Sequence, residues 1–199
     1  MFQALGVRLQ IEGAEFVPGA LLIANHVSWL DVLAIASHAE TVFVAKVEVR
    51  DWPAIGWLAA RAETLFLKRT SGRSLLQVKD RIGALLSAGR AVALFAEGTT
   101  SCGSRVLPFR SGLMQAAVDQ TRPVQAVAIA YYDEAGHRSA AAAFVDSMSL
   151  FQSVGAICRS GPITARLVLA RPLEVAGRTR KQLAREAHHQ VASILAQSR

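Results

Sequence analysis

The chain has 199 residues, 52% of them hydrophobic and 19% charged, with a net charge of +7, a pI near 10.2 and a mean hydropathy of +0.29. This fits one domain, residues 1–199, with a sizeable core and an apolar surface patch, but no bilayer span, because no window of eighteen residues is free of polar groups. Residues 1–8 lack the apolar core of a signal peptide, and Cys102 and Cys158 make neither a disulfide framework nor a metal-ligand pattern, so a reducing cytoplasmic setting is expected. The basic residues are mostly Arg, with Lys only at 46, 68, 79 and 181. They are dispersed and carry no nucleic-acid-binding motif, which points away from nucleic acid and toward an anionic membrane surface or an acidic substrate.

In chain order, short and nearly continuous apolar runs predict strands at 21–24, 41–45, 64–67, 91–95, 124–130, 141–145 and 165–169, each buried on both faces. Between them lie helical patterns. Leu75, Val78, Ile82, Leu85 and Leu86 form one stripe, which predicts a helix over about 74–88 with Gly89 as its stop. A second helix opens at the capping box Thr179-Arg180-Lys181-Gln182 and carries Leu183, Ala187, Val191, Ile194 and Leu195 on one face. Strands that alternate with helices imply an α/β fold: a single domain with a mixed, largely parallel central sheet flanked by helices. The turn-rich stretches 98–112 and 132–138 read as loops within it.

Chemistry concentrates at Asn25-His26-Val27-Ser28-Trp29-Leu30-Asp31, directly after the first apolar run. Five residues inside a helix would put His26 and Asp31 on different faces, so a pair requires His26 to precede the helix. Ser28 to Asp31 has the form of a capping box, which allows this. Two readings fit: Asp31 as a helix cap beside a polar His26, or a His-Asp catalytic dyad. Further along, Lys68 and Arg69 end a strand where a ligand anion sits in α/β folds, although a solvated strand end explains them equally. Glu97-Gly98-Thr99-Thr100 turns out of another strand, where Gly98 permits close backbone approach and the hydroxyls and amides offer donors to an oxyanion. Cys102 matches no cysteine-enzyme signature, and His188 and His189 point in different directions on a helix without a third ligand.

In order, these blocks resemble the glycerolipid acyltransferase family, of the 1-acylglycerol-3-phosphate acyltransferase type. Asn25-His26 to Asp31 is similar to its Asn-His-x4-Asp block, Phe66-Leu67-Lys68-Arg69 to its Phe-x-x-Arg block, and Phe95-Ala96-Glu97-Gly98-Thr99 to its Glu-Gly-Thr block. Pro123-Val124-Gln125-Ala126-Val127 resembles its apolar Pro-containing strand, and Lys46-Val47-Glu48, Pro53, Gly56 and Phe109-Arg110-Ser111-Gly112 add to the likeness. The resemblance covers roughly residues 5–130 and implies an O-acyltransferase that moves a fatty acyl group from acyl-CoA or acyl carrier protein to the hydroxyl of a lyso-lipid, foremost 1-acylglycerol-3-phosphate. It further implies His26 as general base, Asp31 as the residue that orients it, and Asn25, Arg69, Glu97, Gly98 and Thr99 at the acceptor, with no cofactor and no metal because a thioester is already activated. Peripheral attachment at the cytoplasmic face of the inner membrane is expected.

The chain departs from the family pattern at Ala96, where Pro is usual, and at Thr100, where Arg is frequent, and residues 1–8 are not expected to serve as the family's common apolar N-terminal anchor. Thr100 removes one phosphate ligand, which keeps a lyso-ornithine-lipid O-acyltransferase as the alternative. A basic lipid-binding protein without catalysis is a further reading. A hydrolase is disfavoured by the absence of Gly-x-Ser-x-Gly.

Overall fold

The computed structural model describes residues 2–197 apart from 3, 4, 53, 54, 62, 69, 146 and 147. Among these residues seven strands make one sheet: β1 (Val7–Gly13), β2 (Leu21–Ala24), β3 (Thr41–Lys46), β4 (Leu65–Leu67), β5 (Ala91–Phe95), β6 (Val124–Tyr132) and β7 (Ile163–Leu169). Their order is β1-β7-β6-β2-β5-β3-β4, and every neighbouring pair is parallel except β6 and β7. The carboxyl ends of β6, β2, β5, β3 and β4 therefore share one edge.

Helices cover both faces. They are α1 (Leu30–His38), α2 (Ile55–Arg61), α3 (Gly72–Ser87), α4 (Gln115–Asp119), α5 (Leu150–Arg159) and α6 (Arg180–Gln197), with 3₁₀ turns at Val47–Asp51 and Gly112–Met114. Side chains of β2 alternate between two cores, as the pleat demands: Leu21 and Ile23 join α3, α4 and α6, whereas Leu22 and Ala24 join α1 and α5. Because both faces are covered, β2 and β6 are apolar throughout apart from Gln125. That glutamine is fully buried and satisfied: its Oε1 accepts from the Val17 amide, and its Nε2 donates to the carbonyls of Glu15 and Ala170. It ties the turn before β2 to the exit of β7. No helix among the described residues is long and apolar enough to cross a membrane.

The α/β architecture and the mixed, largely parallel sheet are those expected, and α3 and α6 fall where the stripes put them. The α6 capping box forms as read, with Gln182 Oε1 accepting from the Thr179 amide and Thr179 Oγ1 from the Gln182 amide. Two strand expectations change. β1 is a strand that a search for continuous apolar runs passes over, because Val7, Leu9 and Ile11 alternate with Arg8, Gln10 and Glu12. Residues 141–145 are not a strand: Ala142 and Ala143 are buried, but the Ala143 amide donates to the Ala140 carbonyl in a turn and the Phe144 amide to the Val27 carbonyl.

Candidate active site

The site lies at the shared carboxyl edge, where open α/β sheets place ligands. His26 follows β2 and precedes α1, so the five-residue spacing closes around the helix start and not within it. Its Nδ1 lies 2.8 Å from Asp31 Oδ2, and since a carboxylate only accepts, Nδ1 carries the proton of that bond. The same oxygen accepts from the amides of Val27 at 2.7 Å and Ser28 at 2.9 Å, and Asp31 Oδ1 accepts from the Tyr131 hydroxyl at 2.5 Å. Four donors thus converge on a side chain with no exposed surface. The capping box read at Ser28 does not form: Trp29 is the N-cap and makes no side-chain cap hydrogen bond, while Asp31 reaches back to the Ser28 amide and Ser28 Oγ accepts from Leu30. The carboxylate that pairs with His26 therefore also holds the two residues that lead into α1.

The imidazole stacks on Phe95, with ring centroids 3.9 Å apart and an interplanar angle of 15°. Its side chain is 19% exposed, and among the described residues no hydrogen-bond partner takes Nε2. A neutral ring held by Nδ1 presents a lone pair at Nε2, which is what a general base requires. The loop after β5 closes the back of this site. Ala96 donates its amide to the Ala24 carbonyl, and Ser101 donates its amide to the His26 carbonyl at 2.8 Å.

Glu97 sits in that turn, 4% exposed, with Oε1 accepting from the Leu107 amide at 3.2 Å and Oε2 without a hydrogen-bond partner among the described residues. Burial pushes its carboxyl up to about 7, against the Leu107 and His26 amides and the Ser101 hydroxyl that hold it down, and nearby Asp31 adds to the rise. Gly98 has φ +77°, a backbone that strains any residue with a Cβ, and its amide is committed to the Phe95 carbonyl at 3.0 Å. That amide is thus not free for an oxyanion. Thr99 is exposed at the edge beside it, and Lys68 is exposed at the end of β4. Arg69, expected at the acceptor, lies outside the described residues.

Asn25 serves the sheet. It is 2% exposed, its Nδ2 donates to the Ile129 carbonyl at 2.9 Å, and its Oδ1 accepts from the Ile129 amide at 2.8 Å. Both ends of the amide continue the β2–β6 pairing one residue past the strand, so Asn25, buried, holds the edge in place. Sequence reasoning missed Tyr131 and the stacking face of Phe95, because both come from strands that become neighbours of β2 only in the folded sheet.

Residues 8–130 match the family model described as Acyltransferase. The chain belongs to the acyltransferase family. A 1-acyl-sn-glycerol-3-phosphate acyltransferase of Neisseria gonorrhoeae is 37% identical over 142 residues, covering 71% of this chain and 56% of that protein, so the chain spans little more than half of that relative. A lyso-ornithine lipid O-acyltransferase of Pseudomonas aeruginosa is 36% identical over 192 residues, covering 96% of this chain and 74% of that protein. Among solved structures, the 1-acyl-sn-glycerophosphate acyltransferase of Thermotoga maritima superposes with a TM-score of 0.71 at 22% identity, over 98% of this chain and 74% of that one, which establishes the shared fold. The matched family region contains His26, Asp31 and Glu97 together with β2, β3, β4 and β5 and all but the last two residues of β6.

Proposed function

We propose that this acyltransferase moves a fatty acyl group from a thioester, acyl-CoA or acyl carrier protein, to the free hydroxyl of a lyso-lipid. The observation that carries the reading is the pair at the sheet edge: His26 Nδ1 held by buried Asp31 at 2.8 Å, with the ring 19% exposed and Nε2 without a hydrogen-bond partner among the described residues. In the reaction Nε2 takes the proton of the acceptor hydroxyl as its oxygen attacks the thioester carbonyl carbon. The tetrahedral adduct then expels the thiolate, which receives that proton from the imidazolium, so the ester and the free thiol leave a neutral His26 behind. Asp31 fixes the tautomer and balances the transient imidazolium charge. Because the donor is already activated, this route calls on no cofactor and no metal.

The acceptor we favour is 1-acylglycerol-3-phosphate, giving phosphatidic acid, with its headgroup toward Arg69, Glu97, Gly98 and Thr99. Lyso-ornithine lipid is the second reading, supported by Thr100 and by the 96% of this chain that aligns with the Pseudomonas lyso-ornithine lipid O-acyltransferase. Attachment to an anionic membrane, at the cytoplasmic face of the inner membrane, is supported by exposed Lys46, Lys68, Arg73 and Arg110 on the segments around the same edge and by exposed Leu76 and Phe151.

Purified protein, a labelled acyl thioester and separate lysophosphatidic acid and lyso-ornithine lipid acceptors test this reading. Label in a two-chain lipid is the expected result, with faster transfer to lysophosphatidic acid. Efficient transfer to the ornithine lipid alone selects the second acceptor. Thioester hydrolysis without transfer, or lipid binding without turnover, overturns the proposal.

A further inference from the structure

Tyr131 lies one hundred residues from Asp31, yet strand order brings its hydroxyl within 2.5 Å of Asp31 Oδ1. The contact is sealed, with Tyr131 2% exposed and Asp31 fully buried. The two carboxylate oxygens are thereby divided: Oδ2 faces the His26 ring and two amides, while Oδ1 faces Tyr131. A short hydrogen bond from a hydroxyl to a carboxylate draws negative charge toward the donor. Charge drawn toward Tyr131 is withheld from the bond to Nδ1, and so from the force that pulls a proton onto Nε2.

We propose that Tyr131 is a positioning residue for acyl transfer, one that acts through Asp31 to moderate how strongly the carboxylate draws a proton onto the His26 ring. The inference rests on the reading of His26 as general base. It follows from geometry: Asp31 without Tyr131 would hold a more concentrated charge opposite Nδ1 and would draw a proton onto the ring more strongly. Tyr131 itself remains a donor, because burial and the adjacent Asp31 push its phenol well above the ordinary value of 10. Among the described residues, the titratable groups coupled to the pair are Tyr131 from β6 and Glu97 from the turn after β5, whose carboxyl is pushed up to about 7, in part by Asp31. A rate profile alone would mix Glu97 with His26, so the ring must be read directly.

The test uses three forms of the full chain: wild type, Tyr131→Phe, and protein with 3-fluorotyrosine at position 131. Labelled histidine is followed by NMR across pH, with the His26 signal identified by its loss in His26→Ala, and kcat/KM is measured against pH for acyl transfer. Phe removes the donor and raises the His26 midpoint, and with it the acid limb of kcat/KM, by about half to one pH unit, since only part of a hydrogen bond to a charge passes through the carboxylate to the ring. Fluorine makes the phenol a stronger donor, so the midpoint falls. The fluorinated form changes the side chain by one small atom and keeps the test decisive if Tyr131→Phe misfolds. Equal midpoints in all forms that fold overturn the proposal, whatever happens to turnover or melting temperature, because packing alone moves those. Failure of the functional reading shows separately, as a His26→Ala protein that still transfers acyl groups.

Discussion

Glu97→Gln turns the burial of one carboxyl into a measurable pH dependence. In the folded chain burial pushes Glu97 up to about 7 from the 4.5 of a solvated side chain. Between those values the folded state keeps a proton that the unfolded state has released, so folding stability falls as pH rises from about 4.5 to about 7 and levels off above. At about 1.36 kcal/mol per pKa unit, that interval amounts to a loss of about 3 kcal/mol at pH 8. Gln resembles the protonated acid. Its carbonyl can keep the Leu107 amide now held by Oε1, and its NH₂ takes the place of the carboxyl proton with no charge to desolvate. The unfolding free energy of the variant minus that of wild type should therefore rise by about 3 kcal/mol between pH 4.5 and pH 8, while every other titrating group cancels in the difference. Urea unfolding at four pH values across that range measures it. Parallel stability curves for the two proteins would refute the argument, since Glu97 would then ionise in the folded chain as readily as in the unfolded one.

His26→Ala should lower kcat by about 10²- to 10⁴-fold and cost about 1–3 kcal/mol in stability, since it removes both the stack on Phe95 and one donor to buried Asp31; near-normal turnover in a folded variant sinks the general-base role. Asp31→Asn should depress kcat by a similar factor and also lower stability by at least about 1 kcal/mol, because one carboxylate serves both the ring and the helix start. A loss of stability with unchanged rate would leave Asp31 holding the approach to α1 alone. Gln125→Leu orphans the Val17 amide and the Glu15 and Ala170 carbonyls at about 1–3 kcal/mol each, so its denaturation midpoint should fall without a change in KM. Thr100→Arg should raise the preference for lysophosphatidic acid over lyso-ornithine lipid by adding a cation beside the Glu97 turn, and competition between the two acceptors reads the change.

What the sequence makes legible here is set by how local each signal is. The strands of the parallel edge announce themselves because burial on both faces leaves them almost no polar residue. Edge strand β1 does not, since half its side chains face outward, where Glu12 pairs with Arg166 of β7 across the sheet surface. Residues 141–145 mislead for the opposite reason: alanines fit a core as readily in a turn as in a strand, so burial is legible there and backbone pairing is not. His26 and Asp31 are close in sequence, so their pairing depends on a single turn of chain. Asn25, next to them, looks available as a polar residue beside a catalytic block, and only the neighbouring β6 shows that its amide pairs with Ile129. Tyr131 reads as one more apolar strand residue until sheet order sets it against Asp31.

Holding the approach to α1 and orienting His26, which compete as readings of Asp31 in the sequence, are not alternatives in the molecule. Asp31 Oδ2 accepts from the Val27 and Ser28 amides and from His26 Nδ1 at once, so fixing the approach to α1 and orienting the imidazole are one geometric event. This explains why His26 must sit before the helix and why the block tolerates five residues, a spacing that a helix face forbids. It also makes Asp31 a poor probe of mechanism, since any substitution there disturbs the helix start together with the ring. His26 carries no such double duty. Its backbone carbonyl, which anchors Ser101, survives side-chain replacement, so the ring can be removed while the loop after β5 stays tied to β2. The chemical role of the pair is therefore decided at His26, and the structural role of Asp31 is then measured as what its own replacement costs in stability beyond that.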